Sequence, residues 1–137
     1  MNGKEENTYI LLRTIVKMFI DLNMYENFEN AFLEASTTFY RDESRSYINK
    51  ISLSTNHGPL TAEYLQRVEA YLNEEVERCN FASYNGYVDS VTRKSVTLIV
   101  ENEMIKHYIN VILEKGNCIY IYICKRIVCI HCLGFNY

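Results

Sequence analysis

The sequence has little that breaks regular structure: one proline and five glycines in 137 residues. That scarcity excludes collagenous and loop-rich chains, argues against all-β folds with many turns, and favours long helices. Basic charge is not in excess either. Fourteen Lys and Arg stand against seventeen Asp and Glu, a net charge of -3. The chain therefore has no electrostatic pull toward a phosphate backbone, and nucleic acid is not an expected partner. No run of about 18 uninterrupted apolar residues is present to span a bilayer. The first apolar segment, 9–22, is broken by Arg13, Lys17 and Asp21. The start Met1-Asn2-Gly3-Lys4-Glu5-Glu6 is polar and acidic, with no apolar h-region behind a basic start, so no targeting signal is expected. The expectation is an intracellular protein, in the cytoplasm, the nucleus or both, without a membrane partner. There is also no P-loop, no dinucleotide-binding glycine fingerprint, no nucleophile elbow and no zinc-protease helix motif.

What is present fits one globular domain. Hydrophobic residues make up 48% and charged residues 23% of the chain, and this length can bury a real core. Leu11, Ile15, Met18 and Leu22, with Leu12, Val16 and Phe19 beside them, predict a first helix over 9–22. Its apolar face is wide enough for burial between two neighbours. A second helix is expected from Tyr25 to about Leu53, with Tyr25, Phe28, Phe32, Ala35 and Phe39 at 3–4 spacing, Tyr40, Tyr47, Ile48 and Ile51 extending it, and Glu26 and Glu29 at its positive end. Turn formers crowd 52–59, and Pro59 disfavours helix at Gly58. Thr61 is the expected N-cap of a third helix, with Glu63 in its first turn. Tyr64, Leu65, Val68, Tyr71, Leu72 and Cys79 form its stripe, while Glu74, Glu75 and Glu77 read as a solvated face. Asn85-Gly86 marks a turn, and a fourth helix is expected over 92–115, with Val96, Ile99, Val100, Met104, Tyr108, Ile112 and Leu113 on one side. The fold class expected is all-α, a bundle of about four or five helices over 9–115.

Residues 116–137 differ in composition. They hold no acidic residue and four of the five cysteines, Cys118, Cys124, Cys129 and Cys132. The Ile-Tyr alternation in 119–123 is strand-prone. This tail is expected to be irregular and outside the fold. Its Ile, Tyr, Asn, Cys and Lys bias is what translated noncoding AT-rich sequence would give, so a truncated product is expected.

Candidate chemistry is sparse. Cys124, Cys129, His131 and Cys132 are donors of the type zinc takes, but they lack two well-separated pairs around a turn. Cys79 lies on an apolar helix face with no histidine paired to it, so core packing is the expectation. His57 and His107 show no ligand pattern. Glu74 and Glu75 point about 100° apart and do not converge on one atom. No catalytic, cofactor-binding or metal residue is nominated, and no cofactor is expected. A helical, non-enzymatic interaction domain remains, the alternatives being a small helical interaction protein with a zinc-binding Cys/His tail and an unrelated helical adaptor.

A resemblance supplies the partner class. Tyr64-Leu65, Val68-Glu69, Leu72-Asn73-Glu74-Glu75 and Arg78 follow the pattern of a signature helix of the cullins. Upstream, Tyr25, Phe28-Glu29 and Phe32-Leu33, then residues 38–44, resemble the helix before it. Leu12-Arg13-Thr14-Ile15 fits the helix that leads in. Downstream, Tyr87-Val88-Asp89-Ser90-Val91-Thr92 is similar to the family's turn, and Val100-Glu101-Asn102-Glu103-Met104-Ile105 with His107 to its next helix. The chain departs from the family pattern by extra residues between Arg78 and Tyr87 and by a longer linker at 50–62. The resemblance covers 11–113 and leans toward the cullins that take BTB-domain adaptors. It implies a cullin-repeat scaffold of cullin-RING ubiquitin ligases, acting in ubiquitin-dependent protein catabolism through protein–protein contacts with ligase subunits. The resembled part is the second repeat. No residue here matches the adaptor-binding first repeat or the RING-binding C-terminal domain. A repeat without neighbours is expected to expose apolar helix faces and to be marginally stable.

Overall fold

A computed structural model describes residues 3–115. They form helix α1 (Gly3–Asp21), helix α2 (Tyr25–Leu53), helix α3 (His57–Arg78), then one nearly continuous helical path: a 3₁₀ turn Ser90–Thr92, helix α4 (Arg93–Val100), a π-helical turn Glu101–Ile105, a 3₁₀ turn Lys106–Tyr108 and helix α5 (Ile109–Lys115). The architecture is all-α. The expectations for residues 116–137, including a strand-prone tail, lie outside the described residues.

The α1–α2 corner is a Schellman closure. Met24 N–H donates to Phe19 O at 2.8 Å and Asn23 N–H to Ile20 O at 3.1 Å, with Asn23 at φ 56°. Asparagine tolerates that left-handed conformation better than other residues with a Cβ, so the helix can stop without a glycine. α2 then runs 29 residues, about 43 Å. Its inward row is Ser36, Tyr40, Ser44, Ile48 and Ile51. Tyr40, Ile48 and Ile51 are buried as expected, whereas Phe39 is 51% exposed and Ala35 is exposed, which corrects the expected inward row at those two positions. The two serines are small enough to let neighbouring helices approach, and each satisfies its hydroxyl on a backbone carbonyl one turn back, Phe32 O and Arg41 O.

The start of α3 also departs from expectation. The helix begins at His57, not after Thr61. Pro59 is its third residue, where a missing N–H has no intrahelical bond to lose. Gly58 has no Cβ for the proline ring to clash with, which removes the usual penalty before proline. Thr61 is fully buried within the helix, and its hydroxyl donates to His57 O at 2.6 Å. The expected stripe of α3 is otherwise in place: Tyr64, Leu65, Val68 and Leu72 are buried to 1% exposure or less. Each such side chain contributes about 1.5–3 kcal/mol relative to an exposed one.

On the expected side of the last helical path, Val96, Val100, Met104 and Ile112 are buried, while Ile99 and Tyr108 are half-buried. The π turn between α4 and α5 inserts one residue per turn, and its Met104 carbonyl is taken by the Tyr64 hydroxyl from α3. α2 and α3 pack on this path, and α1 packs on α2. No strand occurs among the described residues, so Asn85-Gly86 turns the chain between helices and not in a hairpin.

Gly86 is required by a close approach. A Cβ there would lie 1.7 Å from Asn80 O. Gly86→Ala is expected to destabilise by about 1–3 kcal/mol, because backbone must move to admit the methyl group. Gly58→Ala meets nothing within 4 Å outside its chain neighbours but sets a Cβ against the Pro59 ring, and is expected to destabilise by less than Gly86→Ala. Urea denaturation of the two variants checks the contrast.

Candidate functional site

The most unusual group in the fold is Glu75. Its register along α3 is set by Val68, Tyr71 and Leu72, so it projects into the packed face and is 2% exposed. One carboxylate oxygen, Oε1, accepts both the Tyr40 hydroxyl from α2 and Nη1 of Arg78. The other, Oε2, is buried with no hydrogen-bond partner. The expected solvated face therefore holds for Glu74 and Glu77, which are exposed, and fails for Glu75. The signal was in the sequence: Glu75 falls seven residues after Val68 and four after Tyr71, on the same helix face.

Burial, reinforced by the Glu75 charge, raises the Tyr40 phenol well above its ordinary value, so it remains an O–H donor. Burial works against the Arg78 charge, but the Glu75 carboxylate outweighs it and holds the guanidinium protonated. The Arg78 backbone carbonyl in turn accepts the N–H groups of Tyr87 and Val88, both at 3.0 Å. One residue thus neutralises the buried acid and anchors the loop that leads to α4.

Beside this cluster, α2 and α3 enclose an open groove of about 280 Å³. Phe32, Phe39 and Tyr71 supply aromatic walls, and Glu74, Glu75 and Arg78 supply charge. Phe39, Tyr40 and Tyr71 meet edge to face with centroids 5.1–5.8 Å apart. Tyr71 is fixed by donating to Glu43 Oε1 at 2.8 Å.

The second surface is on α1. Its inward side is formed by Val16, which is buried, and by half-buried Leu12, Phe19 and Ile20. Leu11 (60% exposed), Ile15, Met18 (49%) and Leu22 (58%) form a stripe that no described residue covers. The two-sided burial expected of this helix is thus one-sided here. Arg13 clips the helix to the 80–89 loop: Nε donates to Gly86 O at 2.7 Å, and Nη2 to Tyr84 O at 2.9 Å and Ser83 O at 3.1 Å. Read in sequence as a break in an apolar run, Arg13 caps three loop carbonyls that no spacing rule would pair with it.

Among the described residues no group of three metal-ligating side chains comes together. Cys124, Cys129, His131 and Cys132 lie outside the described residues. His57 is tied through Nδ1 to Ile51 O at 2.8 Å, and His107 is exposed, 3.9 Å from a Glu103 oxygen. Cys79 is buried as expected, and burial, with the Glu75 charge behind it, pushes its thiol up to about 12. No helix among the described residues is long and apolar enough to cross a membrane.

Helices packed on one another, with a contiguous apolar stripe left open on the first, define an α-solenoid type of unit. Comparison with known proteins agrees. The model of the cullin α-solenoid domain matches residues 2–130, a span that runs past Lys115. The chain belongs to the cullin family. It is 35% identical to Cullin-3B of Arabidopsis thaliana over 111 residues, 79% of this chain and 13% of the relative. It is 34% identical to Cullin-4 of Dictyostelium discoideum over 106 residues, 77% and 12% of the two chains. Cullin-4A of Mus musculus is 30% identical over 107 residues, 77% and 12%. The chain thus spans about an eighth of the length of these curated relatives, and their near-equal identities do not single out the BTB-adaptor type. No solved structure matches it.

Two outcomes test the buried cluster. Arg78→Ala leaves the Glu75 charge without its cation and is expected to cost roughly 3–5 kcal/mol, whereas Tyr40→Phe removes one donor and costs about 1–3 kcal/mol. Denaturant midpoints of both variants check the order. At pH 8 the native Cys79 thiolate is roughly one part in ten thousand, so iodoacetamide is expected to spare it until the chain is unfolded. Peptide mass mapping distinguishes Cys79 from the other four cysteines.

Proposed function

We propose that this chain is a non-catalytic scaffold segment of a cullin-type ubiquitin ligase, acting inside the cell, in cytoplasm or nucleus, through protein–protein contacts that serve ubiquitin-dependent protein catabolism. Membership of the family supports the scaffold role, and the α1 stripe carries the reading. Repeat units contact their neighbours in series, and a helix face left open on one unit is completed by the next. Leu11, Ile15, Met18 and Leu22 lie on one face at three- and four-residue spacing, the pattern of a helix–helix seam. Exposed apolar area of this kind is a liability in an isolated monomer and an asset in a stack. The lean toward BTB-adaptor cullins rests on sequence resemblance and is kept as part of this proposal.

The test is capture of a purified cullin N-terminal arm by a tagged form of this chain. Retention is expected, and Leu11→Glu combined with Met18→Glu is expected to weaken it by at least about tenfold, or 1.4 kcal/mol, with the circular dichroism spectrum unchanged. Equal capture by the charged variant, or none by the unaltered chain, would overturn the stacking role.

A further inference from the structure

We propose that a cleft between α2 and the turns Glu101–Ile105 and Lys106–Tyr108 binds the phosphoryl group of a phosphorylated serine or threonine on a partner protein. The cleft holds about 320 Å³ and is lined by Arg41 and Arg45 of α2 and by Glu103, His107 and Tyr108. This site is separate from the α1 stripe and does not depend on the scaffold reading. Its first support is a surplus of donors. Arg41 and Arg45 stand four residues apart, so both project from one face of α2, and both are exposed to an incoming group. Arg41 commits one nitrogen, Nη2, to Glu103 Oε1 at 3.3 Å. Arg45 has no hydrogen-bond or ion-pair partner among the described residues. Each guanidinium carries five N–H donors, so a single resident carboxylate leaves most of them unpaired. Glu103 also sets the opposite wall, because its Oε2 lies 3.9 Å from Nε2 of His107.

Charge and acceptor count choose the ligand. Two arginines against Glu103 leave the lining one positive charge in excess, and two when His107 is protonated. The whole chain carries a net charge of -3, which opposes an extended polyanion and leaves a single local anion as the match. A carboxylate side chain brings two oxygens and one charge, which Glu103 already supplies. A phosphoryl group brings three acceptor oxygens and close to two negative charges. It takes a fork from Arg45 and a second from the uncommitted side of Arg41, the planar pairing that guanidinium groups make with phosphate. A cleft of this size also has room for the carbon stem of the ester, against Tyr108 and the apolar stems of the two arginines.

The experiment titrates the full chain, followed by the NMR ring signals of His107, with a capped pentapeptide of four alanines around a central phosphoserine. Saturable shifts in the millimolar range are expected. Twin peptides carrying serine or glutamate are expected to bind at least about tenfold more weakly, and inorganic phosphate severalfold more weakly, at the same pH and ionic strength. Arg45→Gln is expected to weaken the phosphopeptide by at least about tenfold, and Arg41→Gln by severalfold. Arg67→Gln, which removes an exposed charge of α3 outside the cleft, is expected to change nothing. If Arg41→Gln does not fold, Arg45→Gln carries the test, since Arg45 holds no other described residue in place. No saturation, equal response to the glutamate peptide, full binding by Arg45→Gln, or equal loss in Arg67→Gln would overturn the site. Inorganic phosphate binding as tightly as the phosphopeptide would overturn the assignment to a partner protein.

Discussion

One buried carboxylate organises the fold. Glu75 gives up its hydration on entering the space between α2 and α3, a cost of several kcal/mol that only close partners offset. Tyr40 supplies one donor from α2, and Arg78 supplies the cation from one turn further along α3. That arrangement fixes more than two helices. Arg78 also holds the Tyr87 and Val88 amides on its carbonyl, so the chain entering the α4 path is placed by the same residue that neutralises the acid. Cys79, next in sequence, is buried under Val88 and Val96 as a consequence.

Around that centre the remaining joints follow one rule: backbone groups freed from regular bonding are taken up by side chains from distant elements. Arg13 of α1 collects three carbonyls of the 80–89 loop. Tyr64 of α3 collects the Met104 carbonyl in the π turn. Two joints are of other kinds: Thr92 donates to the Glu29 carboxylate of α2 at 2.5 Å, side chain to side chain, and Asp89 caps the Val91 amide locally at 3.0 Å. Each bond adds modest stability, and leaving the buried Met104 carbonyl unpaired would cost more than its bond gains. The apolar stripe of α1 and the groove between α2 and α3 are held in place by these joints.

Family membership and surface chemistry complement each other here. A solenoid unit needs open apolar faces, and α1 has one in Leu11, Ile15, Met18 and Leu22. The groove is different in kind, because its most distinctive atom is a polar one without a partner. Little of this site could be read from residue types alone. Phe39 and Tyr40 are adjacent and both aromatic, and only the position of neighbouring helices decides that the tyrosine is buried and the phenylalanine lies at the rim. Glu75 sits between two other glutamates in a run that looks uniformly polar, although its spacing from Val68 and Tyr71 placed it on the inner face.

The sequence by itself determined the helices and most of the core. Apolar recurrence every three or four residues, with one proline and few glycines, specifies α2 over Tyr25–Leu53, the stripe of α3 and most of the buried side of the last helical path. Those are local properties, set by the 3.6-residue period and by backbone preference. Tertiary structure alone decided which of two apolar rows of α1 is covered, how Gly58-Pro59 enters a helix, and which partners the inward-facing Glu75 finds. Such outcomes depend on what approaches from elements tens of residues away, because burial energy and hydrogen-bond satisfaction belong to the packed pair and not to either segment.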